Sequence, residues 1–206
     1  LRVDRYPIET RRRIGYLPES TPLYGDMRVG EFLRYRARIK GVPRRRLKER
    51  VDYVVDRTSL QDRVRQPIDT LSKGYRQRVG LADARVGDPK RLILDEPTAN
   101  LDVKTRDDFL ALLIELNQSV KTLLFSSHRL EEVLTLSSRV LVLDSGRLVA
   151  DCPPADLSKH LGNQARLKLH FDGEKWIVPA VEALIGHGFS AERNGTGVWV
   201  QVLPLE

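Results

Sequence analysis

The stretch LSKGYRQRVGLADARVGDPKRLILDEPTANLD, residues Leu71–Asp102, decides the fold. Its first half predicts a helix that Ser72 can cap and that Gly87, Asp88 and Pro89 break. The apolar run Arg91–Asp95 follows, and such a run indicates a strand buried on both faces of a parallel sheet. We therefore expect an α/β fold built around this strand.

Strands and helices alternate on either side of this stretch. Downstream, the pattern predicts a helix over 103–118, a second buried strand over 121–127, a short helix over 129–136 and a hairpin over 139–150 that turns at 145–146. Upstream, it predicts a strand over 14–19 and two amphipathic helices, one over 30–40 and one with a core-facing stripe of Leu47, Val51, Val54 and Val55. This order is typical of an α/β sheet with right-handed crossovers.

The two ends of the chain differ from this pattern. Residues 1–13 carry no helix-capping or strand signal. Beyond residue 152, RLKLHF and GVWVQVL alternate as half-exposed strands on either side of a short helix over 178–187. This last segment predicts part of a small α+β appendage.

Composition narrows the class of protein. A chain of 206 residues that is 41% hydrophobic and 31% charged is typical of a globular protein, and its apolar runs are too short to span a bilayer. The net charge of +7 suits nucleic acid or an anionic membrane face, although solvated helix surfaces are the commoner explanation for such charge runs. Aromatic residues do not alternate with the basic clusters, as a base-stacking platform requires. A single cysteine, Cys152, excludes an internal disulfide and suits the cytoplasm.

Two adjacent acids follow the central strand. A carboxylate at the end of a parallel strand lies at the sheet edge where α/β folds bind ligands, so Asp95 can hold a Mg²⁺ that bridges phosphate oxygens. Glu96 points differently and can polarise an attacking water. The alternative is a strand that ends in two solvated acids, which are common turn residues.

Two further features point to phosphate chemistry. Ser72 and Gly74 stand at a helix N-terminus, where backbone N–H groups and the helix dipole attract anions, although an ordinary N-cap has the same residues. His128 ends the second buried strand, where a neutral imidazole can hydrogen-bond a γ-phosphate or the attacking water. A lone histidine is more often structural, but its place beside the strand with Asp95 and Glu96 favours the functional reading.

As an ordered set, these motifs resemble those of the ATP-binding-cassette (ABC) family. Leu71–Tyr75 resembles the signature motif, with Lys73 and Tyr75 where its commonest form has Gly and Gln. RLILDE resembles the Walker B strand, with Glu96 at the catalytic glutamate position, and Ala99–Asp102 resembles the D-loop.

The resemblance extends over about 14–150. His128 resembles the switch histidine, and Glu19 stands at the Q-loop position, where the family usually has Gln. Arg85, in the signature helix, occupies a position that is usually apolar in the family.

The resemblance implies a P-loop NTPase-like (RecA-like) parallel sheet with an inserted α-helical subdomain and a partial α+β appendage. The expected divisions are residues 1–27, the nucleotide-binding core through the Q-loop; 28–87, the helical subdomain; 88–152, the remaining α/β core; and 153–206, the accessory segment.

The resemblance also implies a mechanism. Two cassettes would sandwich ATP and Mg²⁺ and, by closing and opening, drive an integral membrane permease from the cytoplasmic face, without nucleic acid. Glu96 and His128 would be catalytic, and Asp95 and Glu19 would hold the metal. The expected nucleotide contacts are Ser72, Lys73, Gly74, Tyr75, Glu19 and Asp102.

A phosphate-cradling loop needs the run G-x-x-x-x-G-K-[ST], which the 206 residues do not contain. By family order we expect it upstream of Leu1, in a cassette whose N-terminal part is missing here. We accordingly expect the isolated chain to bind ATP weakly or not at all.

Four functions remain open. The run IGYLPESTPLYGDMRVGEFL and the form LSKGYRQR resemble those of bacterial multidrug and gliding-type export ATPases. A DNA-repair or chromosome ATPase is favoured only by charge, and the roughly fifty residues between Glu19 and Leu71 contain no sustained heptads of the kind its long coiled coils need. A two-cassette translation factor needs a second set of motifs, which the chain lacks. A degenerate, non-hydrolysing docking module is the last alternative, and the retention of Glu96, His128 and Asp102 argues against it.

Overall fold

The computed structural model describes residues 2–118, 122–157, 165–170, 177–186, 190–194 and 197–202. The chain forms two compact units, Leu1–Leu136 and Ser137–Glu206. The domain divisions expected from the sequence remain predictions.

The first unit contains a parallel sheet and six described helices. Its strands are β1 (Ile14–Leu17), β2 (Arg91–Leu94) and β3 (Thr122–Phe125), and its helices are α1 (Pro7–Arg12), α2 (Val29–Ile39), α3 (Leu47–Arg57), α4 (Lys73–Val86), α5 (Val103–Asn117) and α6 (Leu130–Leu136). The strand order is β1-β2-β3, with Leu92 of β2 opposite Gly15 of β1 and Leu123 of β3. The predicted α/β fold with a parallel sheet is confirmed.

The second unit is built from antiparallel strands. Strands β4 (Val140–Asp144) and β5 (Arg147–Cys152) form the predicted hairpin, which turns through positive φ angles at Ser145 and Gly146. Strands β6 (Ala165–His170), β7 (Ser190–Asn194) and β8 (Gly197–Val202) form a sheet of order β6-β8-β7, accompanied by helix α7 (Ile177–Gly186). The sequence analysis predicts β6, α7 and β8 but not β7. Lys121, Phe171, His187 and Leu203 belong to predicted elements and lie outside the described residues.

Helix α4 joins two hydrophobic cores of the first unit. Val79, Ala82 and Val86 pack in the helical core with α2 and α3, whereas Leu81 and Ala84 pack in the sheet core with β2 and α5. Because α4 is buried on both sides, its N-terminus is held in a fixed place relative to the sheet. The predicted stripe of α3 is confirmed, since Leu47, Val51, Val54 and Val55 are all buried in the helical core.

Helix α4 also lies very close to the first strand. A Cβ on Gly15 of β1 would clash with the carbonyl oxygen of Ala84, and a Cβ on Gly80 would lie 2.6 Å from Cγ2 of Thr21 and 2.7 Å from Cδ1 of Leu17. Glycine at these two positions is what lets helix and strand approach.

Arg85, unusual for its position, has a structural partner in α3. Its side chain is buried and donates a hydrogen bond of 2.8 Å to the hydroxyl of Tyr53. Burial alone would raise the pKa of Tyr53, but hydrogen bonds from Arg85 and Arg57 outweigh it and lower the pKa. The guanidinium therefore ties the C-terminal half of α4 to α3 and is not exposed to solvent.

One element was not predicted from the sequence, and one expectation is wrong. Residues 7–12 form helix α1, which buries none of its residues and so has no apolar stripe by which to recognise it. Strand β3 is not fully buried, since Leu124 is 53% exposed and its neighbours Leu123 and Phe125 are only half-buried. Within the described part of the chain it forms one edge of the three-stranded sheet and pairs with β2 on one side only. In β2, Leu92 and Leu94 are fully buried, while Ile93 on the opposite face is half-buried.

No helix among the described residues combines the length and apolar composition needed to cross a bilayer.

Candidate functional site

The carboxyl ends of the three parallel strands form the edge that carries the predicted acids. The backbone N–H of Asp95 donates to the carbonyl of Leu17 at 2.8 Å, and that of Ser126 donates to the carbonyl of Leu94 at 3.0 Å. These two bonds continue the sheet one residue beyond β2 and β3. Asp95 and Ser126 are thereby brought side by side.

Asp95 is oriented by two hydroxyl donors. Ser126 Oγ donates to Oδ1 at 2.8 Å, and the Tyr16 hydroxyl donates to Oδ2 at 3.2 Å. Desolvation raises the pKa of Tyr16, and the charge of Asp95 and its hydrogen bond raise it further, so the phenol stays protonated as a donor. Ser126 Oγ also accepts the backbone N–H of Glu96 at 2.9 Å. One serine thus fixes the positions of both acids.

Glu96 and His128 form a direct pair. Nδ1 of His128 lies 2.9 Å from Oε2 of Glu96, and the histidine side chain is 68% exposed against 23% for the glutamate. Glu96 has φ +43°, a left-handed conformation that is rare for residues with side chains and that frequently marks functional sites. An ionised glutamate only accepts hydrogen bonds, so Nδ1 carries the proton and a neutral ring presents Nε2 as an acceptor. The pair combines a proton acceptor with an exposed imidazole.

The predicted signature and D-loop residues meet at Thr105. Ser72 caps α4, accepting the N–H of Tyr75 at 3.4 Å, and Asp102 caps α5, accepting the N–H of Thr105 at 3.0 Å. Hydrogen bonds from the Thr105 side chain and backbone lower the pKa of Asp102, which keeps it ionised. A Cβ on Gly74 would clash with Cγ2 of Thr105. The first turns of α4 and α5 are therefore in contact.

A cavity of about 560 Å³ lies between the predicted Q-loop and the start of α4. Glu19, Lys73 and Asn100 all line it, so the structure brings together residues of the three predicted loops. Gln77, also in its wall, donates to the carbonyl of Pro97 at 2.9 Å and accepts from Thr21 at 3.5 Å. Gln77 links α4 to the loop that follows Glu96.

Tyr75 lies on a different side of α4. It packs against the helical core and beneath the guanidinium of Arg63, whose Cζ is 4.9 Å from the ring centroid. Its backbone N–H is the donor to Ser72. The side chain thus acts within the helical core, and a nucleotide contact from Tyr75 remains a prediction.

The donor set at Asp95 fits Mg²⁺ as this ion usually binds. Mg²⁺ takes one or two protein carboxylates and completes its octahedron with water and substrate phosphate. Asp95 supplies such a carboxylate beside the hydroxyl of Ser126. Across the described part of the chain, no three His, Cys, Asp or Glu side chains come together as a ready-made metal cluster. Metal binding by Asp95 and Glu19 remains a prediction.

Three residues of this site were not predicted from the sequence: Tyr16, Gln77 and Ser126. Only Ser126 had a local signal, since it stands two residues before His128 in FSSH. Tyr16 and Gln77 reach their partners across 79 and 20 residues of sequence, which no local pattern reveals.

Comparison with known proteins agrees with this geometry. Residues 4–99 match the sequence-family model described as ABC transporter. The ATP-binding protein NatA of Bacillus subtilis is 36% identical over 146 residues, which are 70% of this chain and 59% of NatA. Residues 4–99 therefore resemble an ABC transporter ATP-binding domain. The linearmycin resistance ATP-binding protein LnrL of Bacillus subtilis is 29% identical over 171 residues, 83% of this chain and 55% of LnrL.

The cell division ATP-binding protein FtsE of Streptococcus pneumoniae is 37% identical over 141 residues, which are 68% of this chain and 61% of FtsE. Among solved structures, CbiO1 of Clostridium perfringens, described as part of the ABC transporter complex CbiONQ, has a TM-score of 0.66 and 27% identity. That match covers 86% of this chain and 67% of CbiO1.

The family match includes some of the site residues and not others. The ABC family match includes Glu19, Ser72, Asp95 and Glu96, whereas His128 follows it. The chain spans 59% and 55% of the lengths of NatA and LnrL.

Proposed function

We propose that this chain is part of the ATP-hydrolysing subunit of an ABC exporter. The observation that carries the proposal is the 2.9 Å contact between Glu96 and His128, next to Asp95 at the carboxyl edge of the sheet. Hydrolysis of a nucleoside triphosphate requires three groups from this edge: a proton acceptor, an exposed imidazole and a metal-binding carboxylate.

Each of the three residues has a distinct role. Glu96 accepts a proton from the attacking water, and His128 holds the γ-phosphate or that water through its exposed ring. Asp95 would hold a Mg²⁺, and such an ion would supply neutralisation of the charge on the phosphate oxygens. Ser126 keeps the carboxylate of Asp95 and the backbone of Glu96 in place.

A second cassette completes the site in this proposal. Ser72, Lys73 and Gly74 present the N-terminus of α4 to the nucleotide held by the partner cassette, with Asp102 beside them. Glu19 contributes from the wall of the shared cavity. The amide groups at that helix start and the charge of Lys73 suit an anionic ligand.

The membrane partner is also part of the proposal. An integral membrane permease would dock near Glu19 and α2, with the cassette on the cytoplasmic face and without nucleic acid. Two observations support export. The run IGYLPESTPLYGDMRVGEFL, which contains Glu19, resembles that of bacterial export ATPases, and the relative LnrL is named as a resistance protein. FtsE, a cell division protein, is similarly close in sequence, so a permease-like partner of another kind is the second candidate.

Nucleotide turnover tests the proposal on the protein encoded by the complete reading frame that contains these residues. Glu96→Gln is expected to lower kcat by about 10²-fold or more while ATP still binds, because the amide cannot take the proton. His128→Ala is expected to lower kcat as well. Glu131→Gln, an exposed neighbour, serves as the control.

Two results would contradict the proposal. Undiminished hydrolysis by Glu96→Gln would remove the glutamate from its role. A wild-type protein that neither binds nor hydrolyses MgATP would support the docking-module alternative instead. The DNA upstream of the Leu1 codon gives an independent check, because an in-frame G-x-x-x-x-G-K-[ST] would supply the phosphate loop.

A further inference from the structure

We propose that Glu132 is a positioning residue that holds the loop after β2 and the loop after β3 together, so that Glu96 meets His128. Glu132 would thereby anchor the two loops that carry Glu96 and His128. The expected effect on ATP turnover rests on the proposed function. Glu132 lies in the first turn of α6 and is 3% exposed. A carboxylate so deeply buried needs partners, and its partners come from both loops.

From the loop after β2, Thr98 reaches the carboxylate. Its hydroxyl lies 2.8 Å from each of the two oxygens of Glu132, and Thr98 is itself 2% exposed. Thr98 stands two residues after Glu96, and the N–H of Ala99 donates to the carbonyl of Glu96 at 2.9 Å. The turn that contains Glu96 is thereby attached to α6.

From the loop after β3, Ser127 reaches the same carboxylate. Its hydroxyl donates to Oε2 of Glu132 at 2.7 Å and accepts the N–H of Arg129 at 3.1 Å. His128 lies between these two residues. Arg129 adds charge compensation, with Nε 3.9 Å from Oε1 of Glu132.

The contact between Glu96 and His128 depends on the separation of two loops that belong to different strands. Ser126 joins these loops on the sheet side, and Glu132 joins them on the α6 side. Hydrogen bonds to a buried charge are strong and directional, so the carboxylate fixes this separation better than packing alone.

An ordinary role for Glu132 would be to stabilise the N-terminus of α6 through the helix dipole. Glu131 lies in the same first turn and is exposed, so it has the dipole interaction without the hydrogen bonds. Glu131→Gln is therefore the matched control for Glu132→Gln. In the variant, one carboxylate oxygen becomes an amide N–H₂, so the hydroxyls of Thr98 and Ser127 are left with one neutral acceptor oxygen in place of a charged carboxylate.

The first test uses amide hydrogen exchange on the protein of the complete reading frame and needs no activity. The informative amides are those of Glu96, Ala99 and Arg129, which bond within or between the two loops, and that of Ser126, which bonds to Leu94 at the end of β2. Glu132→Gln is expected to speed exchange at these amides while leaving the core of α5 unchanged, and Glu131→Gln is expected to leave them unchanged. Unaltered exchange in both loops would overturn the proposal, as would faster exchange spread over the whole unit.

The second test uses ATP turnover by the protein of the complete reading frame. Glu132→Gln is expected to lower kcat by about tenfold to a hundredfold, as small misplacements of catalytic groups do, with the KM for ATP within about twofold. Combined with His128→Ala, it is expected to add little further loss, because both changes break the same arrangement. Multiplicative losses would mean that Glu132 acts elsewhere.

Thr98→Val keeps the shape of the threonine and removes only its hydroxyl, so it covers the case in which Glu132→Gln does not fold. It is expected to lower kcat in the same direction and to speed exchange at Ala99. If Thr98→Val and Glu132→Gln both leave kcat and exchange unchanged, the inference is wrong. Absence of turnover in the wild type would instead count against the proposed function, while the exchange result still decides the anchor.

Discussion

Asp102 caps helix α5 at its N-terminus and accepts the N–H of Thr105 at 3.0 Å. The hydrogen bonds that it accepts are strongest when it is ionised, which is why its pKa is lowered below the ordinary value of 3.8. A lowered pKa in the folded state means that ionisation stabilises the fold. The same residue is a predicted nucleotide-site contact, so its structural role must be separated from its role in the site.

Replacement of Asp102 by alanine is expected to lower the free energy of unfolding near neutral pH. The stabilisation is fully present above the unfolded pKa and is lost as the pH falls through the lower folded pKa, so the difference from wild type should shrink below about pH 4. Urea unfolding at several pH values measures this. Asp102→Asn, which can still cap the helix, should lose the pH dependence but keep much of the stability. A deficit that is constant with pH would contradict the assignment.

Gly74 is expected to tolerate no side chain, because a Cβ there would clash with Cγ2 of Thr105. Gly74→Ala should lower the free energy of unfolding by about 1–3 kcal/mol, even though alanine favours helix more than glycine does. Thr105→Ser removes Cγ2 and keeps the hydroxyl, so the double variant should recover most of the loss. Denaturant titration of the four proteins tests the coupling, and an equal deficit with and without Cγ2 would refute it.

At the scale of elements, a charge network joins α2 to α4. Asp83 of α4 is 9% exposed and receives two hydrogen bonds from Arg36, of 2.9 and 3.0 Å. Lys40 adds an ion pair of 2.9 Å to the same carboxylate. Desolvation lowers the pKa of Lys40, and the charge of Asp83 partly offsets this. One acid therefore balances two partly buried cations.

Asp83→Asn is expected to lower the free energy of unfolding by about 3 kcal/mol, because it leaves both cations without their counter-charge. The pKa of Lys40 should also fall further. Asp52→Asn, at an exposed position of α3, is the control and should change stability by less than about 0.5 kcal/mol. Chemical denaturation measures the first effect and NMR titration of the lysine the second; a loss no larger than the control's would mean that the network is marginal.

The elements also show what a sequence can reveal. Helices α3 and α4 and strand β2 follow from local signals, namely the stripe from Leu47, the cap at Ser72 and the apolar run after Arg91. Helix α1 and the exposure of Leu124 do not, because a helix without buried residues has no stripe and a strand's pattern does not say which neighbours cover it. The α/β fold was thus predictable from local order, whereas its edges were not.

The candidate site, too, was predictable from the sequence only in part. Asp95, Glu96 and His128 are adjacent to apolar runs, and the parallel pairing of β2 and β3 brings them to one edge. The residues that hold them, Ser126 and Glu132, bond across 31 and 34 residues of sequence. Such contacts depend on tertiary packing, and no periodicity in the chain encodes them.

At the scale of the whole molecule, the proposed site belongs to two cassettes. In a two-fold symmetric sandwich, the nucleotide held at Glu96 of one subunit would face Ser72 of the other. A variant at either residue then inactivates both sites of its own homodimer. A mixed dimer, by contrast, contains one site in which both residues are intact.

Mixing the two inactive proteins of the complete reading frame is therefore expected to restore hydrolysis. Ser72→Arg blocks the N-terminus of α4, and Glu96→Gln removes the base. With random pairing, half of the dimers are mixed, and each mixed dimer has one intact site out of two. The mixture should therefore show about a quarter of wild-type turnover. The Ser72→Arg/Glu96→Gln double variant mixed with Glu96→Gln is the control, because no pairing of these two chains contains an intact Glu96. Recovery in the first mixture and none in the second would show that Ser72 and Glu96 act across the interface. If each single variant abolishes turnover and the first mixture recovers nothing although mixed dimers form, the two residues serve one site within a single chain.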